Sequence, residues 1–228
     1  MKISRRTFIV GGASTAIIAG AALALGIPQE IGAETSSLTP YEERRRFYYS
    51  KNYVLKKRLL SWVNSYDVEV ESKNIAEITQ DYWTLVKYFQ IKTRSGEYLG
   101  HISEVPNLWG HISEVFDEND RKIGELRQDL SQLFTNPGLY LDVLDEGKRK
   151  SAIIDQNLMS WVTHFDIYDP EHRKIIGKIE GVPSFSPRYA IGLEQDANLD
   201  RRILLSAAAM IDAISETKTD TDSGDDED

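Results

Sequence analysis

The sequence predicts a mainly β protein, an antiparallel barrel of about twelve strands closed around a buried hydrophobic C-terminal helix. Three observations point there. From Tyr53 onward, short stretches alternate apolar and polar residues. These stretches recur at near-constant spacing. The last apolar segment is a helix with no polar face.

The alternation is clearest in SYDVEVES. Tyr66, Val68 and Val70 fall on one side, and Asp67, Glu69 and Glu71 on the other. A period of two is the signature of a half-buried strand. Phe165 and Ile167 repeat it in THFDIYD.

The recurrence is a hairpin unit. SWVNSYDV at Ser61–Val68 matches SWVTHFDI at Ser160–Ile167. RKIIGKI at Arg173–Ile179 matches RKIGEL at Arg121–Leu126 with one residue deleted, and EYLGHI at Glu97–Ile102 matches both. A leading strand is thus followed by a polar turn and a trailing strand that reads aliphatic-Gly-x-aliphatic. The first inward residues of the leading strands are Tyr66, Phe89, Ser113, Leu141, Phe165 and Tyr189, at intervals of 23, 24, 28, 24 and 24. Six units of two strands make about twelve, and a sheet that size tends to close, which removes its edges. Spacing alone fits a β-sandwich equally well.

The C-terminal segment separates the two. NLDRRILLSAAAMIDAISE has apolar residues on every helical face, with Ile203, Leu204, Ala208 and Ile211 as its core. A helix apolar all round is buried or lies in a membrane. Its apolar run is shorter than the roughly 20 residues a bilayer needs. A helix over residues 199–216 inside a barrel satisfies the pattern, and 18 residues at 1.5 Å each span about 27 Å.

Outside the barrel, read as residues 53–216, lie three appendages. Residues 1–33 read as an export signal or anchor. Ser4-Arg5-Arg6-Thr7-Phe8-Ile9 is similar to the twin-arginine signal, and no charge occurs from Thr7 to Gln29. Arg5, Arg6 and Phe8 carry that reading, and it implies the twin-arginine translocase as a partner during export. Ile31-Gly32-Ala33 offers a cleavage site. Residues 34–52 read as a basic-aromatic linker with a short helix. Thr39 is placed to cap it, Pro40 to open it and Glu42 to complete a capping box. Arg44, Arg45, Arg46 and Lys51 lie beside Phe47, Tyr48 and Tyr49, a composition suited to an anionic lipid surface. The competing reading pairs these arginines with Glu42 and Glu43. Residues 217–228, TKTDTDSGDDED, read as a disordered acidic tail.

Composition narrows the chemistry. The chain of 228 residues has a net charge of -9 and no cysteine. The charge argues against nucleic acid as a partner, and disulfides and thiolate metal sites are excluded. No cofactor motif, glycine elbow or zinc-protease pattern occurs. His164 and Asp166 share a strand face. A catalytic dyad there is outweighed by a solvated strand face. Asp117-Glu118-Asn119-Asp120 reads as a hairpin turn rather than a calcium loop. The hexapeptide GHISEV occurs twice between Gly100 and Val115. In the repeat register, His101 is an outward polar position matching Lys178 and Glu125. His111 belongs to the next leading strand, whose start aligns Trp109 with Trp62 and Trp161. The two histidines would face each other if the turn centred on Pro106, but two ligands do not make a metal site.

Three segments together resemble the tubby-like superfamily, in its LURP-one-related and phospholipid-scramblase branches. YVLKKRLLSWVNSYDVEVE is similar to the family's opening strands, and HFDIYDPEHRKIIGKIEG to its penultimate hairpin. YAIGLEQDANLDRRILLSAAAMIDAISE is similar to its closing strand and central helix. The resemblance implies a twelve-stranded barrel around a hydrophobic helix and a role with lipid. It does not extend to the scramblases' acidic calcium-binding stretch, whose place holds GVPSFSPR, or to their cysteines. The expectation is an exported, non-enzymatic barrel at the cell envelope, possessing no cofactor and binding lipid or a membrane surface. A protein-interaction scaffold is the alternative, and an exported hydrolase using His164 and Asp166 a remote one.

Overall fold

The computed structural model describes residues 38–59, 61–81, 87–107, 110–128, 138–158, 163–194 and 197–222, with side chains as far as Ser215. Arg5, Arg6 and Phe8 of the export signal lie outside the described residues. Helix α1 (Pro40–Tyr49) comes first. Strands β1 (Asn52–Lys57), β2 (Ser65–Val70), β3 (Lys73–Gln80), β4 (Tyr88–Thr93), β5 (Tyr98–Val105) and β6 (Ile112–Asp117) follow. Strands β7 (Lys122–Gln128), β8 (Tyr140–Asp145), β9 (Lys150–Gln156), β10 (His164–Tyr168), β11 (Ile175–Gly181) and β12 (Arg188–Leu193) complete the sheet, and helix α2 (Arg201–Asp222) follows.

Each strand pairs antiparallel with its sequence neighbours, and β1 pairs with β12 from Asn52↔Gly192 to Lys56↔Arg188. The sheet is therefore a closed twelve-stranded barrel. All its pairings lie between residues 52 and 193, so a chain lacking residues 1–33 keeps every strand and both helices. The six indexed residues Tyr66, Phe89, Ser113, Leu141, Phe165 and Tyr189 are all buried. The sixth unit differs from the expected hairpin. Among the described residues no strand trails β12, because the chain turns inward there to form α2. The vacant edge is taken by β1 from the other end of the chain.

The five intact hairpins share a local device. The trailing strand carries one extra residue in each, Ile75, Leu99, Ile123, Ser151 and Ile176, so the register slips directly after Val68, Ile91, Val115, Val143 and Ile167 of the leading strand. Opposite these stand small residues, Ala76, Gly100, Gly124, Ala152 and Gly177. A bulge at each site bends and twists the strand, as closure requires. Gly100 has φ +144° and lies against the Phe116 carbonyl, so no side chain fits. A Cβ at Gly124 would stand 2.5 Å from Ile203 Cδ1 and 2.7 Å from the Leu144 carbonyl. Four of the turns are built alike. Thr93, Asp117, Asp145 and Asp169 accept backbone N–H bonds through their side chains, and a left-handed residue follows three positions on. Asp117–Asp120 is such a turn, as its sequence indicates.

Helix α2 fills the barrel. Leu204, Ala207, Ala208 and Ile211 are fully buried, and Ile203 and Ala209 nearly so. The helix runs to Asp222, six residues beyond its expected end at 216. Residues 217–222, expected to be disordered, are helical. A helix already nucleated inside the barrel gains one hydrogen bond for each further residue it fixes. Residues 223–228 lie outside the described ones.

Helix α1 forms as its sequence dictates, with Thr39 as N-cap, both bonds of the Thr39–Glu42 capping box and Pro40 in the first turn. Phe47 is fully buried beneath it. The Tyr53 hydroxyl reaches the carbonyls of Phe47 and Ser50, at 2.7 Å each, and ties the helix to β1.

Candidate functional site

The two ends of the barrel differ in kind. One end carries the five hairpin turns, in which thirteen of 20 residues are charged. The other carries the six remaining connections, in which four of 44 residues are charged. The first is a solvated surface by composition and the second is not. At the second end Leu59, Trp62, Leu158 and Phe185 are exposed, Trp62 by 98% and Phe185 by 103%. They sit on three successive connections, β9–β10, β11–β12 and β1–β2. The other three tryptophans, Trp83, Trp109 and Trp161, also belong by sequence to connections between strands of this set, outside the described residues. Solvent-exposed aromatic side chains gathered at one end mark a contact surface.

Helix α1 lies at the charged end. Arg44 pairs with Glu97 and, at 2.7 Å, with Glu118, joining the β4–β5 and β6–β7 turns. Arg46 pairs with Glu71 at 2.9 Å. These ion pairs tie the helix to the barrel and leave Arg44 and Arg46 partly exposed. The partners expected for them are engaged elsewhere. Glu42 closes the capping box, and buried Glu43 accepts the Ser95 N–H at 2.9 Å. Arg45 and Lys51 are exposed and have no ion-pair partner among the described residues. Tyr41, Arg45 and Tyr49, four residues apart, form one exposed stripe of the helix.

Arg202 plugs the same end from inside. It is 8% exposed, binds Asp200 through two nitrogens and Glu118 at 2.8 Å, and lies over the Tyr48 ring. Deeper along α2, Asp212 accepts from Lys57 Nζ and Tyr66 OH at 2.9 Å and from Tyr189 OH at 3.0 Å. The one acid within the apolar stretch of α2 is thus matched in charge and hydrogen bonding.

At the apolar end a small cleft of about 30 Å³ opens between the barrel wall and α2. Phe89, Ile102, Met210 and Ile214 supply apolar walls. Lys87, Glu104 and His111 stand at the mouth, where His111 Nδ1 lies 3.2 Å from Glu104 Oε1. That contact holds the Glu104 carboxyl below its ordinary range despite burial.

Two other histidines, His101 and His164, are held among neighbouring side chains. His101 points outward, as its register indicates, but is 9% exposed rather than solvated. Its ring stacks between Tyr88 and Phe116, with centroids 4.8 and 4.4 Å away, and its Nδ1 meets Tyr98 OH at 2.7 Å. His101 and His111 do not face each other. His101 pairs with Phe116 and Val105 with Ile112, which centres the turn beyond Pro106. His164 contacts Asp166 and Glu180, at 3.1 and 3.2 Å. These side chains are largely buried, so the expected solvated face is corrected. Neighbouring strands cover it. No hydroxyl bonds His164 among the described residues. No group of metal-binding residues occurs among them either.

Sequence reasoning singled out Arg44, Arg45, Arg46 and Lys51 and passed over the exposed Leu59, Trp62, Leu158 and Phe185. A signal was present. The repeated Ser-Trp-Val was taken as the start of a strand, but β2 begins at Ser65, three residues after Trp62. No described helix is long and apolar enough to cross a membrane. A scan against protein-family models finds none that matches the chain, and a search of curated proteins likewise finds no match.

Proposed function

We propose that this protein is an exported, non-catalytic barrel of the cell envelope that binds a membrane surface and handles lipid there. The observation that carries the reading is the polarity of the barrel from end to end. Trp62 and Phe185 bury about 150–250 Å² each when covered, worth about 4 kcal/mol or more apiece at ~25 cal/mol per Å². Tryptophan favours the boundary between headgroups and acyl chains. The twin-arginine-like onset supports export, and the resemblance to tubby-like barrels supports a lipid role. Contact through the apolar end replaces the arginine helix as the main docking surface. The stripe of Tyr41, Arg45 and Tyr49, with Lys51 nearby, remains a candidate contact at the opposite end.

The test is flotation of residues 34–228 with neutral and anionic vesicles at low salt. Wild type is expected to float, Trp62→Ser/Phe185→Ser to stay at the bottom, and Arg45→Glu/Lys51→Glu to float as wild type. Wild type remaining at the bottom with both compositions would sink the membrane reading. Loss of flotation in Arg45→Glu/Lys51→Glu alone would move the contact to the charged end. The scaffold alternative predicts a discrete protein adduct on crosslinking in cells.

A further inference from the structure

We infer that the apolar end docks on an uncharged, zwitterionic lipid surface and discriminates against an anionic one, because α2 leaves the barrel through that end as an acidic projection. The inference rests on the membrane-facing reading of the same end and deepens it by naming the surface.

The direction of α2 carries it. Arg202, at the start of the helix, meets Glu118 at the charged end. Asp212 meets Lys57, Tyr66 and Tyr189, which lie where β1 ends and where β2 and β12 begin. Ile214 lines the cleft beside Lys87 and His111, which belong to connections at the apolar end. Ser215 is exposed, and the helix continues for seven more residues to Asp222. At 1.5 Å each they reach roughly 10 Å further.

That stretch is acidic by sequence. Residues 216–222 hold Glu216, Asp220 and Asp222 against Lys218, and residues 223–228 add four acids and no base. The terminal carbonyls of a helix add partial negative charge of their own. The surrounding connections do not offset it. Their four charged residues are Arg58 and Lys87 against Asp81 and Asp129, which sum to zero. Arg58 is held by Asp67 and Glu77, and Lys87 lines the same cleft as Glu104. Trp62 and Phe185 thus share their end of the barrel with a negatively charged projection. Exposed apolar side chains gain from contact with any lipid surface. A negative charge brought to an anionic leaflet, however, is repelled by about as much as a lysine is attracted. A zwitterionic surface offers the same aromatic contact without that opposition. The same charge disfavours a second copy as occupant, since two apolar ends meeting would bring two acidic stretches together.

The experiment measures binding of residues 34–228 to sedimented vesicles at low salt, with phosphatidylcholine alone or mixed with phosphatidylglycerol. Wild type is expected to bind the neutral vesicles more tightly by roughly tenfold or more. Added salt should narrow the gap, as screening requires. Two variants remove the charge. One is Glu216→Gln/Asp220→Asn/Asp222→Asn/Asp225→Asn/Asp226→Asn/Glu227→Gln/Asp228→Asn, and the other is a chain ending at Ser215. Both should gain affinity for the mixed vesicles until the gap closes, and both should keep wild-type affinity for the neutral ones. If circular dichroism shows the shortened chain unfolded, the amide variant carries the test. Trp62→Ser/Phe185→Ser should lose both compositions. Wild type binding the mixed vesicles as tightly as the neutral ones, or more tightly, overturns the inference and leaves the membrane reading standing. Binding to neither composition sinks both. An undiminished preference in the amide variant overturns the role of α2. A wild-type dimer that Trp62→Ser/Phe185→Ser dissolves would give the apolar end to a second copy and overturn the lipid assignment.

Discussion

Lys57 Nζ stands 2.9 Å from Asp212 Oδ2, joining the last residue of β1 to the core helix across 155 positions of chain. Both side chains are nearly inaccessible, at 10% and 3% exposure. Removing one partner of such a pair strands a buried charge and costs about 3–5 kcal/mol, whereas replacing both with apolar residues can be neutral. Lys57→Met is therefore expected to lower stability by about that amount, and Lys57→Met/Asp212→Leu to recover most of it. Urea unfolding measures both. A double variant as unstable as the single one would show that the tyrosines dominate the cluster.

Gly124 at a bulge and Gly147 in the β8–β9 turn differ in how much space they have, and substitutions should sort accordingly. Gly124→Ala pushes a methyl into Ile203 and the Leu144 carbonyl and should cost about 1–3 kcal/mol. Gly147→Ala meets nothing closer than 3.3 Å, the Asp145 carboxylate, and should be nearly neutral. Thermal unfolding of the pair decides. Equal losses would mean that backbone entropy, not the helix, sets the requirement.

Acid should weaken the charged end. Backbone N–H groups of Arg121, Arg149 and Arg173 hold Asp117, Asp145 and Asp169 below the usual aspartate range of about 3.9. Their folded pKa values lie below the unfolded ones. Their contribution is thus fully present above about pH 4 and is lost as pH falls through the folded values. Melting temperature is expected to drop steeply below pH 4, and the drop should flatten in Asp117→Asn/Asp145→Asn/Asp169→Asn. An unchanged slope in that variant would assign acid sensitivity elsewhere.

Burial between two aromatic rings pushes the His101 pKa down, against a smaller opposing pull from Asp120. Its titration in NMR should have a midpoint below the ordinary value of about 6.5. Tyr88→Ala, which uncovers one ring face, should raise it. Since the folded pKa is depressed, His101 favours folding above the ordinary value and less so as pH falls through it. A midpoint at or above 6.5 would contradict the burial.

Local patterns were readable and distant partners were not. Alternation located all six inward residues, and the capping box located α1. Alternation reports which side of a strand is apolar but not what covers the other side. That is why His101, His164 and Asp166 were expected to be solvated. Arg44 meets Glu97 and Glu118 across 53 and 74 residues, beyond any local window. The competing local reading chose Glu42 and Glu43, three and four residues away at most. The exposed tryptophan was hidden by its own repetition. A motif that recurs in register looks like part of the strand, and only the hydrogen-bond ladder shows where β2 begins.

The pairing of β1 with β12 also bears on when the molecule can fold. The first strand waits for a partner about 135 residues downstream, and the helix that fills the interior follows later still. An incomplete chain leaving the ribosome is a sheet with nothing to wrap around, its inner face open to water. Contacts so distant in sequence make for slow folding. The strand edges and the apolar inner face stay unprotected until β12 and α2 have been made. Strand β12 and helix α2 thus act as a timer, holding back a finished barrel until residues 188–222 have been made.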